Sequence, residues 1–147
     1  MNLSNIDPAA ISQALDDYDP DREHFLDLTD GSIWTFVFSE STDETRKKYD
    51  EVRLRIGNTH QRIPSMTTQE AYEEIEDFVE NLRNVDVQDS LFLALEKKHA
   101  FRNFREAILQ HAEERQMWMT YRKERSTGRR ERFVASLGGA PAGDLSG

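Results

Sequence analysis

The sequence predicts an α+β fold, with an N-terminal helix, a small antiparallel β-hairpin or sheet, and a C-terminal helical half packed on it. Asp30-Gly31 stands between two runs of β-branched and aromatic residues, which is a strong signal for a hairpin. From Thr68 onward, apolar residues recur at intervals of three and four, as on one face of a helix. Pro8, in the first turn of an amphipathic segment, indicates a further helix before the hairpin.

The first helix is predicted over residues 4–18, with Ser4 or Asp7 as its cap. The polar run 16–21 contains Pro20 and ends this helix as a loop. The apolar residues of the segment share one helical face, which is expected to be buried: Ile11, Ala14 and Leu15.

The hairpin is predicted over residues 23–38, with strands at 24–28 and 33–38. Both faces of the second strand are largely apolar, so at least one of them must be covered by helices. Residues 39–50 are predicted as a loop or an exposed helix. Residues 52–56 alternate apolar side chains with arginine and are predicted as a third strand.

Four helices are predicted in the second half of the chain. The first starts at Thr68, the second opens at Asp89, the third contains Phe104 and the last begins near Glu113. Gly128 either breaks the last helix or costs about 1 kcal/mol within it. Residues 1–137 are expected to form a single α+β domain, and the Gly/Ala/Pro-rich segment 138–147 a disordered tail.

The composition limits the chemistry that the chain can carry. It has 147 residues, a net charge of −9 and no cysteine, which excludes a disulfide, a thiolate zinc site and a cysteine nucleophile. Residues 1–14 lack the basic and long apolar regions of a signal peptide. No run approaches about 18 consecutive apolar residues. We therefore expect an acidic, cytoplasmic protein that does not enter a membrane.

The charges are divided unevenly along the chain. Residues 1–96 hold 22 acidic and 8 basic residues, whereas residues 97–132 hold 5 acidic and 11 basic residues. The first segment should repel nucleic acid and the second should attract it. This division suits the recognition of a charged partner.

The basic segment 97–132 is the predicted partner-binding region. Arginine beside aromatic residues can hold a phosphate backbone and stack on bases. The alternative is that the aromatic residues, which have helical spacing, are buried and leave the arginines in solvent, or that Arg102 and Arg122 pair with the acidic part of the chain. The candidate residues are Arg102, Arg105, Trp118, Arg122, Arg129, Arg130 and Arg132.

No catalytic, cofactor-binding or metal-binding residues are predicted. The acidic cluster between Asp17 and Asp30 fits no calcium-loop register, and Asp27 is expected to bond the turn backbone instead. Glu96 and His99 have the Glu-x-x-His spacing of di-iron bundles, but the second such motif is missing. The four histidines form no His-Glu-x-x-His motif, and no Gly-x-Ser-x-Gly is present.

Several blocks of the sequence, taken in order, resemble those of an uncharacterised bacterial protein family numbered 0158. They are the hairpin segment 24–31, the segments 62–64 and 72–78, the block Ala-Phe-Arg-Asn-Phe-Arg at 100–105, and Trp118 with Tyr121-Arg122. The resemblance extends from about residue 11 to residue 137. Asp30 and Asn103 depart from it, and Gly128 stands where the family has plain helix formers. The resemblance implies no particular activity, cofactor or site.

Three hypotheses about function follow. The first is a non-enzymatic interaction or regulatory module with an as yet unidentified protein partner. The second is a module that binds RNA or single-stranded DNA through residues 97–132, and the third is a hydrolase or metal-dependent enzyme built on the acidic loop. Trp34 is expected in the core, and would mark a partner surface if it were exposed.

Overall fold

The computed structural model describes the backbone of residues 3–143 and the side chains of residues 4–138. It confirms the predicted fold class, because an N-terminal helix is followed by a small antiparallel sheet and then by helices. The elements, in chain order, are α1 (Pro8–Asp16), β1 (Arg22–Asp27), β2 (Ile33–Val37), α2 (Asp43–Leu54), β3 (His60–Arg62), α3 (Thr68–Glu80), α4 (Val85–Glu96), α5 (Ala100–Ile108) and α6 (Ala112–Gly143).

The chain divides into two compact units, which are described separately. Within the described backbone, the sheet unit comprises residues 3–67 and 126–143, and the helical unit comprises residues 68–125. Helix α6 contributes its first part to the helical unit and its second part to the sheet unit. The prediction of a single domain over residues 1–137 stays a prediction.

The predicted hairpin is formed by β1 and β2, and β1 is the central strand of the sheet order β2-β1-β3. Phe25 pairs with Trp34 across the hairpin, and Asp27 pairs with His60 on the other side. Gly31 adopts φ +78° in the turn, where a Cβ atom would lie 2.6 Å from the Asn5 carbonyl oxygen. Only glycine fits this turn, because the conformation is left-handed and the neighbouring backbone is too close for a side chain.

The prediction of a third strand over residues 52–56 was wrong. Helix α2 runs through this segment to Leu54, and the third strand is formed by residues 60–62. Thr42 caps α2 in a capping box with Thr45, and the buried residues Tyr49 and Val52 are spaced three apart. The alternation of apolar residues with arginine therefore reflects one buried turn of a helix and not a strand.

Helices cover both faces of the sheet within the sheet unit. On one face, α1 and the second part of α6 pack against β1 through Ile11, Leu15, Leu26 and Phe133. Asp7 caps α1, as one of the two predicted alternatives. On the other face, Phe25 and Phe36 pack with residues of α2. This arrangement satisfies the requirement set by a hairpin that is apolar on both sides.

The helical unit has its own core, to which α3, α4, α5 and the turn after α3 contribute the following buried residues: Ile75, Phe78, Val79, Leu82, Val87, Leu91, Leu95, Phe104 and Ile108. The predicted start of α4 at Asp89 was wrong. The helix begins at Val85 because Asn84 caps it by accepting a hydrogen bond from the Val87 N–H.

Helix α6 is continuous through Gly128, so this glycine does not break it. The helix starts at Ala112, next to the predicted position, and ends at Gly143. Residues 144–147 of the predicted disordered tail lie outside the described residues, and the tail stays a prediction. In the part of the chain that the structure describes, every helix is too short or too polar to cross a membrane.

Candidate functional site

Helix α5 presents two of the predicted arginines. Arg102 and Arg105 lie three residues apart and are exposed, whereas Phe104 between them is buried at 1% exposure. His99 precedes the helix in a left-handed conformation, with φ 65°, and its side chain makes no capping hydrogen bond. Among the described residues, neither arginine forms an ion pair.

The aromatic residues of the basic region belong to the core of the helical unit. The Trp118 ring centroid lies 5.1 Å from that of Phe78 and 5.2 Å from that of Phe104. The Tyr121 ring lies 5.4 Å from Phe78 and 6.0 Å from Trp118. These rings pack against one another, as aromatic side chains do in protein interiors. The burial expected for Phe104 is confirmed, and Trp118 and Tyr121 are partly buried against the same core.

Three further predicted arginines, Arg129, Arg130 and Arg132, lie in the sheet unit. Arg129 forms an ion pair with Asp16 at 2.8 Å, and Asp16 also accepts a hydrogen bond from the Ser126 hydroxyl at 2.6 Å. Arg130 Nη1 donates to Ser12 Oγ at 3.2 Å. Arg132 is exposed. Arg129 and Arg130 are therefore engaged in fastening the second part of α6 to α1.

The predicted pairing of arginines with the acidic part of the chain occurs at Arg129. It was expected at Arg102 and Arg122, and neither of these forms an ion pair within the described chain. Arg122 is exposed on the first part of α6. Arg102, Arg105 and Arg122 are thus the predicted residues whose charges remain available in the helical unit.

The acidic loop forms a chain of turns. Asp17 accepts from the Asp19 N–H at 3.1 Å, and Asp19 accepts from the Asp21 N–H at 2.9 Å. Asp27 accepts from both the backbone N–H and the hydroxyl of Thr29, which confirms its expected role in the turn. Among the described residues, no three His, Asp or Glu side chains come together as they would around a metal ion.

Asp17 is the centre of a polar network on the α1 side of the sheet. It accepts two hydrogen bonds from Arg22, at 2.7 and 3.0 Å, and lies 2.7 Å from His24 Nε2. The other ring nitrogen of His24 lies 2.7 Å from Thr35 Oγ1 on β2. The hydrogen bonds from Arg22 hold the pKa of the Asp17 carboxyl well below its usual range. With both ring nitrogens occupied, the buried His24 joins the loop to the hairpin.

A second network lies on the α2 side of the sheet. Glu23 accepts a hydrogen bond from the Tyr49 hydroxyl at 2.5 Å and another from Arg62 Nε at 2.7 Å. Burial alone would raise the pKa of Glu23, but these hydrogen bonds outweigh it and lower the pKa. Burial and the Glu23 carboxylate raise the pKa of the Tyr49 hydroxyl. The network connects α2 with two strands.

The sheet unit contains a cleft that the sequence did not indicate. The cleft has a volume of about 440 Å³ and lies between α2 and the sheet, with Trp34, Lys48 and His60 among its lining residues. The sequence feature that could have indicated this cleft is the spacing of the charged residues in α2. These residues fall on one face only when residues 43–54 are taken as a helix.

These features define a class of protein: a helix-rich α+β chain whose polar networks stabilise turns and whose charged groups lie on helical surfaces. The model of an uncharacterised protein family, UPF0158, matches residues 5–137. The chain belongs to this family, as the resemblance of its hairpin and α5 segments predicted.

One relative with a similar sequence is the UPF0158 protein of Chlamydia trachomatis serovar D, which is 26% identical over 109 residues. The match covers 74% of this chain and 33% of that protein, so the chain matches about a third of the length of this relative. No solved structure matches the chain at a significant level.

Proposed function

We propose that the chain is a non-enzymatic interaction or regulatory module of the bacterial cytoplasm, and that it binds an acidic surface of a partner protein. The observation that carries the proposal is the set of exposed arginines in the helical unit, Arg102, Arg105 and Arg122, which form no ion pair within the described residues. Arginine is favoured at interfaces because its planar guanidinium group binds carboxylates through two hydrogen bonds.

The charge pattern of the helical unit supports a partner with local acidity. Residues 97–125 contain eight basic and four acidic residues, whereas residues 68–96 contain one basic and nine acidic residues. An acidic partner is attracted by the first segment and repelled by the second. Such a division orients a partner and excludes wrong ones more than it adds affinity.

The alternative function is binding of RNA or single-stranded DNA through the same arginines. It is supported by their charge but requires aromatic rings that can stack on bases. Trp118 and Tyr121 pack against Phe78 in the core of the helical unit, so their rings are engaged in holding the fold. This observation ranks the protein partner first.

The test is affinity purification of the tagged chain from its host at low and moderate salt, with and without nuclease. We expect a protein in stoichiometric amount that remains after nuclease treatment and dissociates as salt rises, because exposed charges are screened within about 10 Å at 0.1 M salt. Recovery of RNA or DNA that moderate salt removes would overturn the proposal in favour of the alternative. Recovery of no partner would count against both.

A further inference from the structure

The cleft of the sheet unit lies between α2 and one face of the sheet, and its lining residues include none of the arginines on which the proposed interaction depends. Its volume of about 440 Å³ falls within the roughly 300–1,000 Å³ of small-molecule sites. Trp34 and the buried Phe25 line it from the sheet, and so do Asp27 and His60, which pair between β1 and β3. The cleft therefore combines an aromatic wall with polar and charged groups that can fix the orientation of a ligand.

The side chains that α2 contributes to the cleft are charged, except for that of Val52. Glu44, Lys47, Lys48 and Glu51 follow one another at helical spacing and line the cleft, together with Arg55, the C-cap of the helix. Lys47, Lys48 and Arg55 form no ion pair among the described residues. Three basic side chains that form no ion pair among the described residues thus border a concave surface.

The position of one basic group relative to the aromatic wall is defined. The Lys48 ammonium lies 4.8 Å from the centroid of the Trp34 ring, within the range of a cation–π contact. Trp34 is partly exposed, whereas Phe25, stacked on it at 6.1 Å, is fully buried. A ligand ring that reaches the exposed part of Trp34 would therefore meet the positive charge of Lys48, which lies over the Trp34 ring.

Asp27, an acidic residue that lines the cleft, is already hydrogen-bonded within its own turn. Asp27 Oδ1 accepts two hydrogen bonds from Thr29, which lower the pKa of the Asp27 carboxyl. Its other oxygen lies 3.8 Å from His60 Nε2. Because Asp27 is held by its own turn, the groups that remain to bind a ligand's charge include the lysines and Arg55.

The two acidic residues of α2 in the cleft favour a small anion over a polyanion. Glu44 and Glu51 stand among the three basic residues, so the cleft has no large field of one sign, as a groove for nucleic acid would have. A small anion can approach one or two of the basic side chains locally. A polyanion would meet both carboxylates.

We propose that this cleft binds a small molecule in which a planar ring carries one phosphate or carboxylate group. The ring packs against Trp34, and the anionic group is held by Lys48 with Lys47 or Arg55. The site is distinct from the arginine surface of the helical unit, so either proposal can fail without the other.

The test uses the full chain carrying Trp118→Phe, so that Trp34 alone reports by fluorescence. Adenosine monophosphate and phenyl phosphate are titrated as ring-and-anion probes, with adenosine and inorganic phosphate as probes for each half. We expect saturable changes in Trp34 fluorescence with adenosine monophosphate, phenyl phosphate or both. Adenosine alone and inorganic phosphate alone should each bind more weakly, by about tenfold or more. A preference for adenosine monophosphate over phenyl phosphate identifies a nucleotide, and equal binding identifies aryl anions in general.

Lys48→Ala should weaken the binding of the ring-and-anion probe by about tenfold, because it removes the charge beside the ring. Lys123→Ala is the matched control, an exposed lysine of the helical unit, and should leave the affinity unchanged. Circular dichroism of both variants establishes that they fold. Two results would overturn the proposal: no saturable change with either ring-and-anion probe, or tighter binding of N-acetyl-arginine amide, which would make the cleft a cation site.

Discussion

Replacing Phe104 by alanine is expected to lower the free energy of unfolding of the helical unit by about 3–5 kcal/mol. Phe104 is 1% exposed, lies in the core with Leu91 and Ile108, and contacts the Trp118 ring edge to face at 5.2 Å. The truncation removes apolar burial and leaves a cavity that the packed helices can fill only in part.

The measurement is denaturant unfolding followed by the fluorescence of Trp118, with Trp34→Phe present in every protein compared. The neighbouring Arg105→Ala is the control, and should change stability by no more than about 0.5 kcal/mol because Arg105 is exposed. A loss below about 1 kcal/mol for Phe104→Ala would contradict the assignment of this aromatic residue to the core. Phe104 would then be a candidate surface residue whose ring stacks on nucleic-acid bases.

Replacing Asp17 by asparagine is expected to lower the free energy of unfolding of the sheet unit by about 2 kcal/mol at neutral pH. In the variant, this free energy should also fall less steeply than in wild type as the pH is lowered. The carboxylate binds Arg22 and His24 and is 14% exposed, whereas Arg22 is 43% exposed, which limits the loss. The hydrogen bonds from Arg22 lower the pKa of Asp17 in the folded state. The unfolded state therefore takes up this proton first as pH falls.

It follows that the contribution of Asp17 is complete above its unfolded pKa, about 4, and disappears as pH falls toward the lower folded value. Wild type and Asp17→Asn should thus differ at neutral pH and converge in acid. The measurement is unfolding followed by Trp34 fluorescence, with Trp118→Phe present in every protein compared, at a series of pH values. Asp50→Asn, an exposed residue of α2, is the control. Parallel pH profiles for wild type and Asp17→Asn would contradict the account.

The hairpin and α5 were predictable because their signals are local. Asp30-Gly31 determines the turn, and the spacing of Phe104 and Ile108 places one face of α5 in the core. Helix α2 was predicted only as one of two alternatives, a loop or an exposed helix over residues 39–50, because it buries only Tyr49 and Val52 between charged residues. A helix with so few buried residues gives a weak periodic signal, and its last turn alternates like a strand.

The candidate site was predictable only in part. Helical spacing indicated that Phe104 is buried and leaves Arg102 and Arg105 in solvent, which the structure confirms. The ion pair between Arg129 and Asp16 joins residues far apart in the chain, and no local pattern indicates which acid an arginine will meet. The cleft depends in the same way on Trp34 and Lys48 meeting across two elements.

The central claim is that the exposed arginines of the helical unit serve recognition and not stability. Its most direct test is to compare Arg102→Glu/Arg105→Glu with Arg46→Glu/Arg83→Glu in the same purification from the host. Both variants change the net charge equally, and all four residues are exposed. We predict that the first variant loses the partner while melting within a few degrees of wild type, and that the second retains it. Equal retention of the partner by both variants would contradict the claim.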